Sequence, residues 1–421
     1  THDFLRFSTY QELTPEAAAA LAGPTATLAG AEGLPAHAAA ARARAGDATS
    51  AMIDEAEAIP VAVPVRAAYR DLALYDPGRR PVAVDLSDNT NLFGAPPAAA
   101  RALAEVQGDA ITRYPAVFAD ELKERLAALH GVAPENVATG CGADDVIDSA
   151  IRAFCEPGDT LAYPDPTFGM IPLFTRMNAV RPRAVTLASV DRLDVDGLLR
   201  TRARITYVCQ PNNPTGTLFD TRDLERLAAE STGVLLVDEA YADYGGTSMA
   251  AWAAASDRVV VVRTLSKAFG LAGLRIGYAI GPAALIREIE KSRGPYKVTA
   301  AADAAARAVL AEDMDWVEAH VARTIENRER LTREVEAMGV RAFPSAGNFV
   351  LLQAPEDVPG DGTRPAALRL ADALRGRGVA VLAFPALPLV CECVRGTVGP
   401  WPMMETFLDA LRAVLTGEDA R

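Results

Sequence analysis

The chain has 421 residues, half of them apolar, enough for two or three domains with substantial cores. A formal net charge of −13 and an isoelectric point near 5.0 argue against a general nucleic-acid or anionic-membrane surface. Five cysteines without CxxC or zinc spacing imply free thiols in a reducing compartment and no metal. No stretch reaches the ~18 apolar residues that span a bilayer, and no basic-then-apolar leader is visible, so a cytoplasmic protein is expected.

Residues 1–70 hold 22 alanines and no lysine. Thr14-Pro15-Glu16 before Ala17–Leu21 reads as an N-cap, a first-turn proline and a helix. Pro24, Pro35, Pro60 and Pro64 punctuate the rest, so this stretch is expected to be an N-terminal helical extension. Residues 71–100 then join a small domain, 101–310 form a large domain, and 311–421 form a smaller α+β domain. Asp120–His130 carries Leu122, Leu126 and Leu129 at helical spacing, and Asp144–Cys155 reads as a second helix. Strands are predicted at Thr160–Tyr163, Ile205–Cys209, Val234–Val237 and Val259–Val262. Apolar strands separated by helices indicate a parallel sheet covered on both faces. In such sheets the ligand site lies beyond the carboxyl ends of the strands. Trp316–Met338 reads as a long helix, and Val340–Leu352, Ala366–Arg377 and Met403–Leu415 supply the closing α+β part.

The residues following each strand carry the chemistry. Gly140-Cys141-Gly142-Ala143-Asp144 leads into a helix, whose first N–H groups can receive an anion. Asp144 and Asp145 would repel that anion if they faced it, so both are expected to cap the helix. Gln210 to Gly216 is a run of turn formers that includes Asn213. Asp238 ends a wholly apolar strand, where a carboxylate is costly unless a cation or donor meets it. Lys267, one of four lysines among 38 arginines, follows Val259–Val262 with Thr264 and Ser266 beside it and Arg275 eight residues on. Desolvation lowers an ammonium pKa, and the neutral amine can form a Schiff base. A phosphorylated, protonated heteroaromatic aldehyde satisfies all four strand ends.

These residues resemble the fold-type I pyridoxal-phosphate enzymes, and within them the histidinol-phosphate aminotransferase group. The resemblance rests on Thr264-Leu-Ser-Lys-Ala-Phe-Gly-Leu-Ala-Gly-Leu-Arg-Ile-Gly277, Pro211-Asn-Asn-Pro-Thr-Gly216 and Val237-Asp-Glu-Ala-Tyr241. Leu74-Tyr-Asp-Pro-Gly78, Arg113-Tyr-Pro115 and Pro344–Phe349 fit in the same order, so it runs from about Leu74 to the C-terminus. It implies an α/β architecture in which helices cover a mostly parallel seven-stranded sheet. It also implies pyridoxal 5′-phosphate as cofactor, bonded by Lys267, with Asp238 on the ring nitrogen. Asn213 and Tyr241 are implied at the phenolate oxygen and Phe168 on the ring. Gly142, Ala143, Asp144, Ser266 and Arg275 are implied at the phosphate.

Tyr114 is implied to reach the neighbouring subunit's phosphate, hence a homodimer with shared sites. Arg395 is implied to grip the substrate's oxyanion, with Asn213, Tyr296, Lys297 and Asn91 nearby. The sequence departs from the group's pattern at Thr90, Leu92, Lys297 and Gly396. Lys297 is expected either exposed or as a second contact to an anionic substrate. The expected function is exchange of an amino group between an L-amino acid or related amine and a 2-oxo acid. Decarboxylation or other chemistry at Cα is the alternative. A DNA-binding regulator is disfavoured because residues 1–70 are acidic and lack a basic recognition helix.

Overall fold

The computed structural model describes residues 64–417, apart from 77, 79 and 361. The helices expected within residues 1–63 lie outside the described residues. The chain divides into two units, and the smaller contributes residues 73–80 and 360–365 to the description, where Asp76 accepts a hydrogen bond from the Gly78 N–H. The larger unit, residues 64–72, 81–359 and 366–417, carries every element below.

Its strands in chain order are β1 (Val84–Asp85), β2 (Val137–Cys141), β3 (Thr160–Asp165), β4 (Arg181–Thr186), β5 (Ile205–Cys209), β6 (Val234–Asp238), β7 (Val259–Thr264), β8 (Ile276–Ile280), β9 (Phe349–Gln353), β10 (Val379–Ala380), β11 (Leu382–Leu387) and β12 (Cys391–Thr397). The large sheet has the order β2-β8-β7-β6-β5-β3-β4 and is parallel except at β8, which runs antiparallel to β2 and β7. Every residue of β5, β6, β7 and β8 is buried, as strands covered by helices on both faces must be. β4 is the exposed edge; Arg181 and Arg183 face water, and its polar composition kept it out of the sequence-predicted strands.

The helices form where the apolar spacing demands. Asp120–His130 buries Leu122 and Leu126 and ends on left-handed Gly131 (φ 63°), while Leu129 stays exposed. Gly142–Phe154 buries Val146, Ile147, Ala150 and Ile151 against the sheet. Each valine, leucine or isoleucine so buried contributes about 1.5–3 kcal/mol relative to exposure. A second, three-stranded antiparallel sheet, β11-β12-β9, shares a core with helices Met314–Ala337, Ala366–Arg375 and Trp401–Thr416 through Leu331, Val335, Leu370, Phe407 and Leu411.

Because β8 reverses direction on both sides, β2 runs parallel to β7. The carboxyl ends of β2, β3, β5, β6 and β7 therefore lie along one edge, where β8 also begins. That edge holds Cys141, Cys209, Asp238 and Thr264.

Candidate active site

A cavity opens at this edge, lined among others by Ala143, Phe168, Asn213, Asp238, Tyr241 and Lys267. One end gathers the first residues of a helix, Ser266 and Arg275. Gly142 (φ 84°) opens the helix Gly142–Phe154, and a Cβ there would lie 2.5 Å from the Arg275 guanidinium. The guanidinium end could shift to make room, so the firmer constraint on Gly142 is its φ, a conformation that L side chains rarely adopt. Gly277 serves the same packing from β8, since its Cβ would lie 2.3 Å from the Ala143 nitrogen. Arg275 donates from Nη1 to Ser266 Oγ (3.4 Å) and from Nη2 to Asp144 Oδ2 (3.1 Å). The two acids thus divide, contrary to the expectation that both cap the helix. Asp145 accepts from the Cys141 N–H and from Lys297 Nζ (2.8 Å), while Asp144 faces Arg275.

At the cavity wall Asp238 is 4% exposed, with Oδ1 accepting the Ala240 N–H (3.0 Å) and Oδ2 accepting the Tyr207 hydroxyl (2.7 Å). Burial raises its carboxyl pKa to about 6. The Tyr241 hydroxyl accepts from Asn89 Nδ2 (3.1 Å) and from Asn213 Nδ2 (3.4 Å). With both neighbours donating to it, its own proton is left to point elsewhere, and burial raises its pKa so that the proton stays on. Lys267 Nζ donates to the Asp88 carbonyl (3.1 Å), and burial lowers its pKa to about 8.

Behind these groups is an ion-pair network that sequence reasoning missed. Arg263, 4% exposed, donates to Glu239 Oε2 (2.8 Å) and Asp243 Oδ1 (2.5 Å), and Glu239 also accepts from Ser248 and the Met249 N–H. Glu239 follows Asp238 and Arg263 lies four residues before Lys267, so the network ties together the two strand ends that carry them. Removing one partner of such a buried pair costs about 3–5 kcal/mol.

Arg395 comes from β12 and is 5% exposed; Nη1 donates to Asn213 Oδ1 (2.5 Å) and Nη2 to the Ser87 carbonyl (2.8 Å). The rings of Phe349 and Phe384 lie 5.4 and 5.7 Å from its guanidinium carbon. Asn91 Nδ2 donates to the Ala268 carbonyl, next to Lys267. Arg395, Asn91, Tyr114, Tyr296 and Lys297 do not line the cavity of their own chain. Tyr114 is 82% exposed and stacks on Tyr296 with centroids 4.6 Å apart. Asn89, Asp88 and Tyr207 belong to the site and were not predicted. Asn89 offered a signal, since it stands directly before Thr90, where the sequence departs from the group's pattern.

A helix N-terminus packed closely through Gly277, a buried acid at the wall and an amine whose pKa burial lowers to about 8 have the chemistry to meet a phosphate, a ring cation and an aldehyde. The fold and site together define an α/β enzyme that uses pyridoxal phosphate. The comparison with known proteins names the family: aminotransferase class I and II matches residues 81–411, and the chain belongs to it. Histidinol-phosphate aminotransferase from Roseiflexus castenholzii is 36% identical over 340 residues, covering 79% of this chain and 89% of the relative. Histidinol-phosphate aminotransferase 2 from Thiobacillus denitrificans is 34% identical over 350 residues, covering 82% and 95%.

Among solved structures, histidinol-phosphate aminotransferase from Sinorhizobium meliloti in complex with pyridoxal 5′-phosphate superposes with a TM-score of 0.71 at 27% identity, covering 81% of this chain and 93% of that one. An aspartate aminotransferase double mutant from Thermus thermophilus gives 0.67 at 25% identity, covering 79% and 92%. The protein is a pyridoxal-phosphate-dependent aminotransferase with a mostly parallel seven-stranded sheet, and transamination is favoured over decarboxylation.

Proposed function

We propose that this aminotransferase exchanges an amino group between an anionic amine and a 2-oxo acid, and that Arg395 receives the oxyanion of each in turn. The carrying observation is the Arg395–Asn213–Tyr241 chain, which joins a buried guanidinium to the cavity wall. A planar guanidinium suits a carboxylate or phosphate in two-point contact. Histidinol phosphate is the first donor to test, because the relatives above carry its name. Lys297 and Thr90, where the sequence departs from the group, bond to Asp145 and Asp88.

Pyridoxal phosphate, when bound, supplies an aldehyde that condenses with amines and a protonated ring that draws electrons from Cα. In this reading Lys267 holds the aldehyde carbon, then carries a proton to and from Cα. Asp238 faces the ring nitrogen, Phe168 stacks on the ring, and Tyr241 with Asn213 donates to the phenolate oxygen. The first N–H groups of Gly142–Phe154, with Ser266 and Arg275, hold the phosphate. Residues 101–310 serve as the cofactor domain and 311–421 as the smaller domain that brings Arg395. Among the described residues no helix is long and apolar enough to cross a membrane. Five free thiols suit a reducing compartment, and the cytoplasm is the proposed location.

Arg395→Lys tests the anchor. The substitution keeps the charge and loses the fork, so KM for a 2-oxo acid acceptor is expected to rise roughly 30-fold, about 2 kcal/mol. The change in kcat should be smaller, and an unchanged KM in steady-state kinetics would remove Arg395 from substrate binding.

The reading includes a homodimer with shared sites, supported by the exposed Tyr114 and its neighbours Ile111 and Phe118. Mixing Lys267→Ala with Tyr114→Ala tests it. A heterodimer then holds one site with both wild-type residues, so after subunit exchange at limiting cofactor the mixture should exceed the activity of either variant alone. Activity no higher than the Tyr114→Ala share, with dimers present by sedimentation, would show that the sites are not shared.

A further inference from the structure

We propose that Tyr207 is a positioning residue that keeps Asp238 ionised and aimed at the ring nitrogen of the cofactor. The inference rests on the assignment of Asp238 above and deepens it. Tyr207 lies in the middle of β5, fully buried, and Cys209, two residues on, pairs in register with Asp238 on β6. Its hydroxyl reaches one carboxylate oxygen at 2.7 Å while the Ala240 N–H takes the other. With one donor on each oxygen the carboxylate cannot rotate, and each oxygen keeps a lone pair for a further partner.

The groups around Asp238 show why the hydroxyl matters. Burial, the Asp144 carboxylate on the helix Gly142–Phe154 and the adjacent Glu239 all raise the Asp238 pKa. The Tyr207 hydroxyl and the Ala240 N–H lower it. Cys209, also on β5, carries a thiol that burial and the Asp238 charge push far up, so it stays neutral and adds no second negative charge beside Asp238. Its Sγ donates to the Pro211 carbonyl instead. The tyrosine is itself held protonated by burial, so it acts as a donor throughout.

Tyr207→Phe keeps the ring that fills the core and removes the donor. A hydrogen bond to a charged group in a buried site is worth roughly a factor of ten or more in binding. Titration of apoenzyme with pyridoxal phosphate, read by fluorescence quenching, should show Kd raised about tenfold at neutral pH. The pH midpoint of cofactor binding should move up, because a less stabilised carboxylate forms at higher pH. Binding of an analogue with carbon in place of the ring nitrogen should be the same in both proteins. Site-specific Tyr207→difluorotyrosine, a stronger donor of similar size, should shift the midpoint down.

Equal weakening toward the cofactor and the carbon analogue would assign Tyr207 to packing alone and overturn the proposal. An unshifted midpoint in both variants would do the same. Asp238→Asn, run in parallel, reads the underlying assignment. If that variant also treats the cofactor and the carbon analogue as wild type does, Asp238 is not the ring partner, which is a failure distinct from that of Tyr207.

Discussion

Lys267→Ala is expected to lower the transamination rate roughly 10⁴-fold, the upper range for losing a positioned general acid–base, while the cofactor still binds. The amine is the one group of the cavity placed both to bond an aldehyde and to move a proton. It donates to the Asp88 backbone carbonyl, and burial holds its pKa near 8 against the opposing pull of the Asp88 and Asp144 charges. At pH 7.5 about a quarter of such amines are neutral, against about one in a thousand for a lysine at its ordinary value. The charged form is lost as pH rises through about 8, so nucleophilic reactivity appears over that range. Acetic anhydride labelling of the apoenzyme, read by mass spectrometry, should show Lys267 reacting with a midpoint near 8.

Borohydride treatment of the holoenzyme should fix the cofactor on the peptide containing Lys267 in the wild type and nowhere in the variant. A small primary amine such as methylamine should restore part of the variant's rate. Retention of activity within tenfold, or borohydride capture at another lysine, would remove Lys267 from its assigned role.

What could be read in the sequence follows a physical rule. Strand ends were legible because a polar residue after an apolar run is conspicuous, and this is how Asp238, Asn213, Ser266 and Lys267 were reached. Their convergence follows from parallel strands, which place successive carboxyl ends on one edge. Tyr207 escaped because Ile-Thr-Tyr-Val-Cys reads as strand interior, and no pattern of periods shows that a phenol touches a carboxylate on the next strand. Asn89 and Asp88 escaped for a different reason. They reach the site through contacts spanning 152 and 179 residues of sequence, to Tyr241 and Lys267. β8 was missed because Ile-Gly-Tyr-Ala-Ile follows directly on the lysine motif, and its antiparallel direction is set by the neighbours rather than by its own residues. The Arg263–Glu239 pair lay in plain view as two charges beside apolar strands, yet only the register of β6 against β7 makes them partners.

The second large effect concerns Asp238, and it separates charge from shape. Asp238→Asn leaves the volume and removes the negative charge, so a ring nitrogen facing it loses its counter-ion. The expected loss in kcat is about 10²–10³-fold, the scale on which a preorganised electrostatic contact acts in a dry site. The pH dependence gives an independent reading. Burial raises the carboxyl pKa to about 6, so the apoenzyme carboxylate is present above that value and is lost as pH falls through it. Cofactor affinity of the wild-type apoenzyme should therefore strengthen from pH 5 to pH 7 by more than that of Asp238→Asn, which keeps only the dependence due to the cofactor's own phosphate.

Once a cation lies against Asp238, attraction lowers its pKa again, so holoenzyme activity should persist to lower pH than apoenzyme binding does. A cofactor analogue methylated on the ring nitrogen carries a permanent positive charge and needs no counter-ion to keep it. It should return part of the lost rate to Asp238→Ala while improving the wild type little. A kcat for Asp238→Asn within about threefold of wild type would mean that the carboxylate is a buried structural acid, and the electron-withdrawing role would have to be sought elsewhere in the cavity.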